Sequence, residues 1–142
     1  ADLRVKYSGL KGVDINADDV ALAVDEIPSI AVAAACAEGV TRIRGAEELR
    51  VKESDRISTT VAGLRALGIS VDEHPDGMTI FGGQFRGGEV NSEGDHRIAM
   101  AFAMAGNTTN EPVSVLDTAC INTSFPRFNR LACEAGLGLQ QR

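Results

Sequence analysis

Leu10-Lys-Gly-Val-Asp-Ile-Asn16 returns further along the chain as Phe85-Arg-Gly-Gly-Glu-Val-Asn91. Each copy ends in short apolar–polar alternation, the pattern of a strand. The adjoining segments return as well. Ile30-Ala-Val-Ala-Ala-Ala-Cys-Ala37 is matched by Ile98-Ala-Met-Ala-Phe-Ala-Met-Ala105, two stretches apolar all round and so expected as buried helices. Val40-Thr-Arg-Ile-Arg-Gly-Ala46 is matched by Val113-Ser-Val-Leu-Asp-Thr-Ala119, a second strand in each copy. An internal repeat decides the architecture before any single element does, because each copy is a supersecondary unit that must bury its apolar face against a neighbour.

Each copy then has a second helix. Ile57, Val61, Leu64 and Leu67 recur at helical spacing, and Gly68 stands where a left-handed C-terminal cap belongs. In the second copy Thr123 or Ser124 is expected to cap a helix with Pro126 in its first turn and Phe125, Phe128, Ala132 and Ala135 as its buried stripe. A hairpin closes the first copy, with strands at 69–73 and 78–81 flanking the turn His74-Pro75-Asp76-Gly77. The unit is therefore βαβαββ, an α+β arrangement, with repeat one at about 10–81 and repeat two at about 85–142. Leu3-Arg-Val-Lys-Tyr7 alternates like Met78–Phe81 and also precedes a Lys-Gly-Val-type strand, so it reads as the last strand of a third unit. The alternative is a complete two-repeat domain with an added first strand. The chain opens on Ala rather than Met and is expected to be a piece of something longer.

The 142 residues amount to about one domain, 44% hydrophobic and 24% charged, ordinary values for a globular chain. Fourteen basic against twenty acidic residues leave a net charge of −6; with no Trp and one Tyr, a nucleic-acid surface is not expected. The apolar runs are too short to span a bilayer. Three cysteines, Cys36, Cys120 and Cys133, are odd in number and widely spaced, which disfavours a disulfide framework or zinc site and makes a reducing cytoplasm the expectation. Cys36 and Cys133 fall on apolar stripes and are expected in the core.

Arg50-Val-Lys-Glu-Ser-Asp-Arg56 packs three cations and two carboxylates into seven residues at a helix start. Such a run is usually a solvated helix end. Here, however, Lys52 and Arg56 would share a helix face and repel, and both would crowd the positive end of the helix dipole. A bound anion would reverse both penalties. Asp95-His96-Arg97 repeats the pattern: Asp95 is a natural N-cap, while His96 and Arg97 stand at the wrong end of an apolar helix for cations. Asp25-Glu26 precedes Pro28 at the start of the matching helix, where acidic residues are favoured on dipole grounds alone. If equivalent helices bring their N-termini together, Asp25, Lys52, Glu53, Arg56 and Arg97 converge. They would offer cations for phosphate or carboxylate groups and carboxylates for proton transfer. No phosphate loop, dinucleotide fingerprint or metal-ligand spacing accompanies them.

Leu49-Arg-Val-Lys-Glu-Ser-Asp-Arg-Ile57, Asp95-His-Arg-Ile-Ala-Met100 and Thr123-Ser-Phe-Pro126, in that order and behind Asp25-Glu-Ile-Pro28, resemble the C-terminal third of the 5-enolpyruvylshikimate-3-phosphate (EPSP) synthase family. The resemblance implies two domains, each of three βαβαββ units in an inside-out barrel fold, with a site in the cleft between them. It implies transfer of the enolpyruvyl group of phosphoenolpyruvate to the 5-hydroxyl of shikimate 3-phosphate, without metal or organic cofactor. Asp25 then matches the carboxylate that contacts the shikimate hydroxyl, and Lys52 the lysine beside the reacting hydroxyl and phosphate. Glu53 matches the carboxylate of proton transfer at the methylene carbon; Arg56 and Arg97 match arginines that hold phosphoenolpyruvate, with His96 beside them. Two positions depart from the pattern: Thr123 stands where many members have a lysine, and Glu48 where some have an amide. The lysine, serines and arginine that complete both substrate sites are expected in the missing N-terminal part, so this stretch alone is expected to fold without catalysing. UDP-N-acetylglucosamine enolpyruvyl transferase, or an anion-binding repeat domain without catalysis, are the alternatives.

Overall fold

The computed structural model describes residues 2, 4 and 6–140. The first copy of the repeat runs β1 (Asp14–Ile15), α1 (Ala17–Ala23), α2 (Ile27–Ala35), β2 (Val40–Ile43), α3 (Arg56–Ala66), β3 (Val71–His74) and β4 (Gly77–Phe81). The second runs β5 (Gly88–Asn91), α4 (His96–Ala105), β6 (Val113–Leu116), α5 (Ile121–Ser124) and α6 (Phe128–Glu134). The fold is α+β. β1 lies parallel to β2, β2 antiparallel to β4 and β4 antiparallel to β3, giving a sheet ordered β1-β2-β4-β3. β5 and β6 form a parallel pair, as β1 and β2 do. Helices α2, α3 and α4 pack on one another beside these sheets. Ile27, Ile43, Leu49, Ile57, Leu64, Leu67, Met78, Ile80, Ile98 and Phe102 are all but fully buried and belong to one core.

Local chemistry explains the element ends that matter for the site. Asp55 caps α3, its carboxylate accepting from the Ser58 amide at 3.0 Å. Gly68 takes φ of +83°, and the amides of Gly68 and Ile69 donate to the carbonyls of Arg65 (3.0 Å) and Leu64 (2.9 Å), the paired bonds of a Schellman C-cap. Asp95 caps α4 through the amides of Arg97 and Ile98. α1 has no counterpart among the elements expected from the sequence. Asn16 and Asp19 form a reciprocal capping box there, and the Asn-x-x-Asp spacing was its available signal.

Gly63 shows how closely α3 approaches α4. A Cβ on Gly63 would stand 2.4 Å from the tip of the Phe102 ring. Ala normally gains up to about 1 kcal/mol over Gly inside a helix. Here the overlap with a fully buried ring is expected to outweigh that gain, so Gly63→Ala should destabilise the chain by about 1–3 kcal/mol in urea unfolding. A more stable Gly63→Ala variant would contradict this packing.

Several expectations need correction. Lys52 is not on α3: it ends the 3-10 turn Glu47–Val51 in extended conformation, so it shares no helix face with Arg56. The helix expected after Thr123 is two short ones. Thr123 and Ser124 end α5 rather than cap α6, and Phe125 leaves helical geometry before Pro126. Of the expected stripe only Ala132 is buried. The reason lies in the packing: α3 lies against β3, β4 and β5, whereas α6 has no extensive contact with any other element among the described residues. Residues 137–140 form no strand. Cys36 and Cys133 are exposed: Cys36 faces outward between the buried Ala35 and Ala37, and Cys133 lies next to the buried Ala132 on the open side of α6. The expected strand at 3–7 rests on Leu3 and Val5, which lie outside the described residues.

Candidate active site

The starts of α2, α3 and α4 meet at one guanidinium. Arg56 opens α3 with its side chain 1% exposed. Its Nε donates to Asp95 Oδ2 at 2.7 Å, Nη1 to Asp25 Oδ1 at 2.9 Å and Nη2 to Glu53 Oε2 at 2.6 Å. Asp95 is fully buried and also accepts from Ser54 Oγ at 3.2 Å. Asp25 stands in the 3-10 turn Val24–Glu26 ahead of α2 and is shared with a second arginine. Arg97 Nη2 lies 3.2 Å from Asp25 Oδ2, and Arg97 Nη1 donates to the Asp25 carbonyl at 3.1 Å and to Glu26 Oε1 at 2.9 Å. Charge-assisted bonds of this kind are about twice as strong as neutral ones.

Of the residues singled out in the sequence, Asp25, Glu53, Arg56 and Arg97 are brought into one bonded cluster. Lys52 stands at its edge: its ammonium pairs with Glu48, and its charge reaches Asp25. His96, half-buried on the first turn of α4, makes no hydrogen bond or ion pair among the described residues, so the geometry gives it no role within the cluster. Asp95 and Ser54 were missed as members. Asp95 had a complete explanation as a helix cap, and no spacing rule reveals that its second oxygen turns to an arginine on another helix. Thr123 lies on α5 and donates to the Cys120 carbonyl at 2.8 Å, apart from the cluster. No group of three or more His, Cys, Asp or Glu placed to hold a metal occurs among the described residues.

The electrostatics divide the carboxylates. Bonding to Arg56, against the opposing effect of burial, holds the Asp25 carboxyl below its usual range, with Arg97 and Lys52 adding to the effect. Burial pushes Asp95 upward, but the bond and charge of Arg56 and the capping amides outweigh it and Asp95 also titrates low. Asp55 and Asp76 are lowered as well, Asp55 by its cap and Arg50 against burial, Asp76 chiefly by the Gly45 amide. A carboxyl lowered on folding binds its proton more weakly in the folded chain, so the unfolded chain takes up more protons in acid. The stability these groups contribute is complete above the unfolded Asp value of about 4 and is lost as pH falls through the lower folded values. Urea midpoints are expected to be level from neutrality to about pH 5 and to drop steadily below about pH 4. A midpoint unchanged in strong acid would contradict the cluster.

Four carboxylates, Asp25, Glu26, Glu53 and Asp95, thus face two guanidinium groups. Arg56 has five N–H donors and uses three of them. The arrangement positions two guanidinium groups and three solvent-accessible carboxylates, Asp25, Glu26 and Glu53, at one spot, the equipment for holding an anion and moving protons beside it.

Comparison with known proteins agrees with the motifs. A family model described as EPSP synthase (3-phosphoshikimate 1-carboxyvinyltransferase) matches residues 1–131. The chain belongs to the EPSP synthase family. It is 54% identical over 140 residues to the 3-phosphoshikimate 1-carboxyvinyltransferase of Nitrosococcus oceani, a match covering 99% of this chain and 32% of that one. The Alkalilimnicola ehrlichii protein of the same name is 56% identical over 140 residues, covering 98% of this chain and 31% of that one. An EPSP synthase structure from Acinetobacter baumannii superposes with a TM-score of 0.87 at 49% identity, over 91% of this chain and 31% of the other. This EPSP synthase family chain spans about a third of the length of the curated relatives it matches.

Proposed function

We propose that the chain is part of a 3-phosphoshikimate 1-carboxyvinyltransferase. In that enzyme the 5-hydroxyl of shikimate 3-phosphate adds to C2 of phosphoenolpyruvate and a proton is delivered to C3. A proton then leaves C3 as phosphate departs, restoring the double bond. The observation that carries the proposal is the Arg56 hub, which joins three helix starts through Asp25, Glu53 and Asp95 in a chain of this family.

Each residue takes a role its chemistry suits. Asp25, kept ionised by Arg56 and Arg97, accepts the proton of the 5-hydroxyl. Lys52 sits beside the reacting hydroxyl and the phosphate as a point charge. Glu53, more than half exposed at 52%, exchanges the proton at the methylene carbon. Arg56 and Arg97 hold the carboxylate and phosphate of phosphoenolpyruvate, whose geometry a guanidinium matches two bonds at a time. An incoming anion would compete with Glu26 and Asp25 for Arg97, the more exposed of the two. His96 stands next to Arg97 in sequence and is assigned to the phosphoenolpyruvate side on that basis. No metal or cofactor enters these steps.

The two repeats, about 10–81 and 85–142, form part of one domain of a two-domain enzyme, and the remainder of the enzyme completes both substrate sites. The protein acts in the cytoplasm; no helix among the described residues is long and apolar enough to cross a membrane. Titration of the labelled chain with shikimate 3-phosphate and phosphoenolpyruvate tests the half-site. Amide shifts are expected around Asp25, Lys52 and Asp95, with no product formed. Absence of shifts at millimolar ligand would remove the site, and product formation by the chain alone would show that it needs no other part.

A further inference from the structure

Arg50 belongs to the same charged run yet touches none of the carboxylates around Arg56. Instead its guanidinium uses every donor it has. Nε donates to the Pro75 carbonyl at 2.8 Å, Nη1 to Asp55 Oδ2 at 2.8 Å and Ser58 Oγ at 3.2 Å, and Nη2 to the His74 carbonyl at 2.7 Å and Glu73 Oε1 at 3.1 Å. These partners lie on two separate elements, the β3–β4 hairpin and the first turn of α3. Asp55 is the cap of α3, and Arg56 is the next residue. The stretch Lys52–Asp55, which carries Lys52 and Glu53, has neither helix nor strand of its own. It is anchored at its far end by the Arg56 bonds; at its near end the buried Leu49 holds the preceding turn in the core, and Arg50 alone ties that end to the β3–β4 hairpin and the cap of α3.

We propose that Arg50 is a positioning residue for the enolpyruvyl transfer, tying the Lys52–Asp55 loop to the β3–β4 hairpin so that Lys52 and Glu53 stand at a fixed distance from Arg56. The inference rests on the proposed function. An exposed pair would do little of this, but Arg50 is half-buried and two of its five bonds go to main-chain carbonyls of a hairpin turn. Lysine cannot substitute. Its three donors radiate from one nitrogen, whereas five acceptors are arrayed here around a planar fork. A reacting group misplaced by about 1 Å costs on the order of a hundredfold in rate. Arg56 and Arg97 do not touch Arg50, so their grip on phosphoenolpyruvate is independent of it.

The test pairs two measurements. In the full-length enzyme assayed for phosphate release, Arg50→Lys is expected to lower kcat about 10- to 100-fold while KM for phosphoenolpyruvate stays within about threefold. In the 142-residue chain the same substitution is expected to speed hydrogen exchange at the amides of 51–55 and leave those of 96–98 unchanged. Unchanged kcat with a lowered melting temperature would make Arg50 structural only and overturn the proposal, as would kcat and KM worsening together. Should Arg50→Lys fail to fold, Glu73→Ala removes one partner and is expected to lower kcat about two- to fivefold; no change there also overturns it. If the unsubstituted enzyme releases no phosphate, the functional reading fails instead, while exchange at 51–55 still reports whether Arg50 holds the loop.

Discussion

Arg56→Met should unfold at a free energy lower by about 3–5 kcal/mol, the usual cost of removing one partner from a buried ion pair. The loss is large because of what remains. Asp95 is fully buried, and without Arg56 its carboxylate keeps only the Ser54 hydroxyl and the two capping amides. Its lowered pKa depends on the Arg56 bond and charge, so in the variant burial prevails and the carboxyl is expected to titrate higher. The methionine fills most of the volume, which separates the electrostatic loss from a cavity. Adding Asp95→Asn should recover part of the stability, since an asparagine still caps α4 and carries no charge to strand. Urea unfolding of the single and double variants checks both statements; a single variant within about 1 kcal/mol of the parent would mean that the hub does not hold the helices together.

Glu53→Gln in the full-length enzyme should lower kcat about 10²- to 10⁴-fold, the usual contribution of a positioned acid–base group. KM for phosphoenolpyruvate is expected to move little. The glutamine oxygen can still accept the bond that Arg56 Nη2 now gives to Glu53, so the arginine keeps its place. What the amide cannot do is take up and return a proton. Steady-state kinetics with both substrates varied separates the two effects. A kcat within about threefold of the parent would remove Glu53 from proton transfer and leave it a tether for Arg56.

These two residues also show where sequence reading works. Arg56 and Glu53 lie three apart in a motif dense with charge, and cations at the positive end of a helix dipole are conspicuous. The repeated strand–helix–strand segments made the order of elements legible in the same way, because alternation and helical spacing are local patterns. Lys52 was misplaced because the same spacing suits a helix face or a turn, and only the cap at Asp55 shows that the helix begins after it. The helix after Thr123 was misread for a related reason. A capping residue with Pro and an apolar stripe behind it is a valid helix start, but burial of that stripe needs a surface to cover it. Cys133 failed in the same way.

By itself, then, the sequence determined the α+β repeat and three helices with charged residues close to their starts, though not that α3 begins only at Arg56. Their encounter was decided by the tertiary structure alone. Asp25, Arg56 and Asp95 are far apart along the chain, and no local rule relates them. They meet because α2, α3 and α4 pack around one core, which puts three helix N-termini side by side. The same packing gives Asp95 two tasks, capping α4 with one oxygen and holding Arg56 with the other. Arg50 is the corresponding case outside the cluster. In sequence it is one more charge in a run, and in three dimensions it is a five-bond tie between a hairpin and a helix cap.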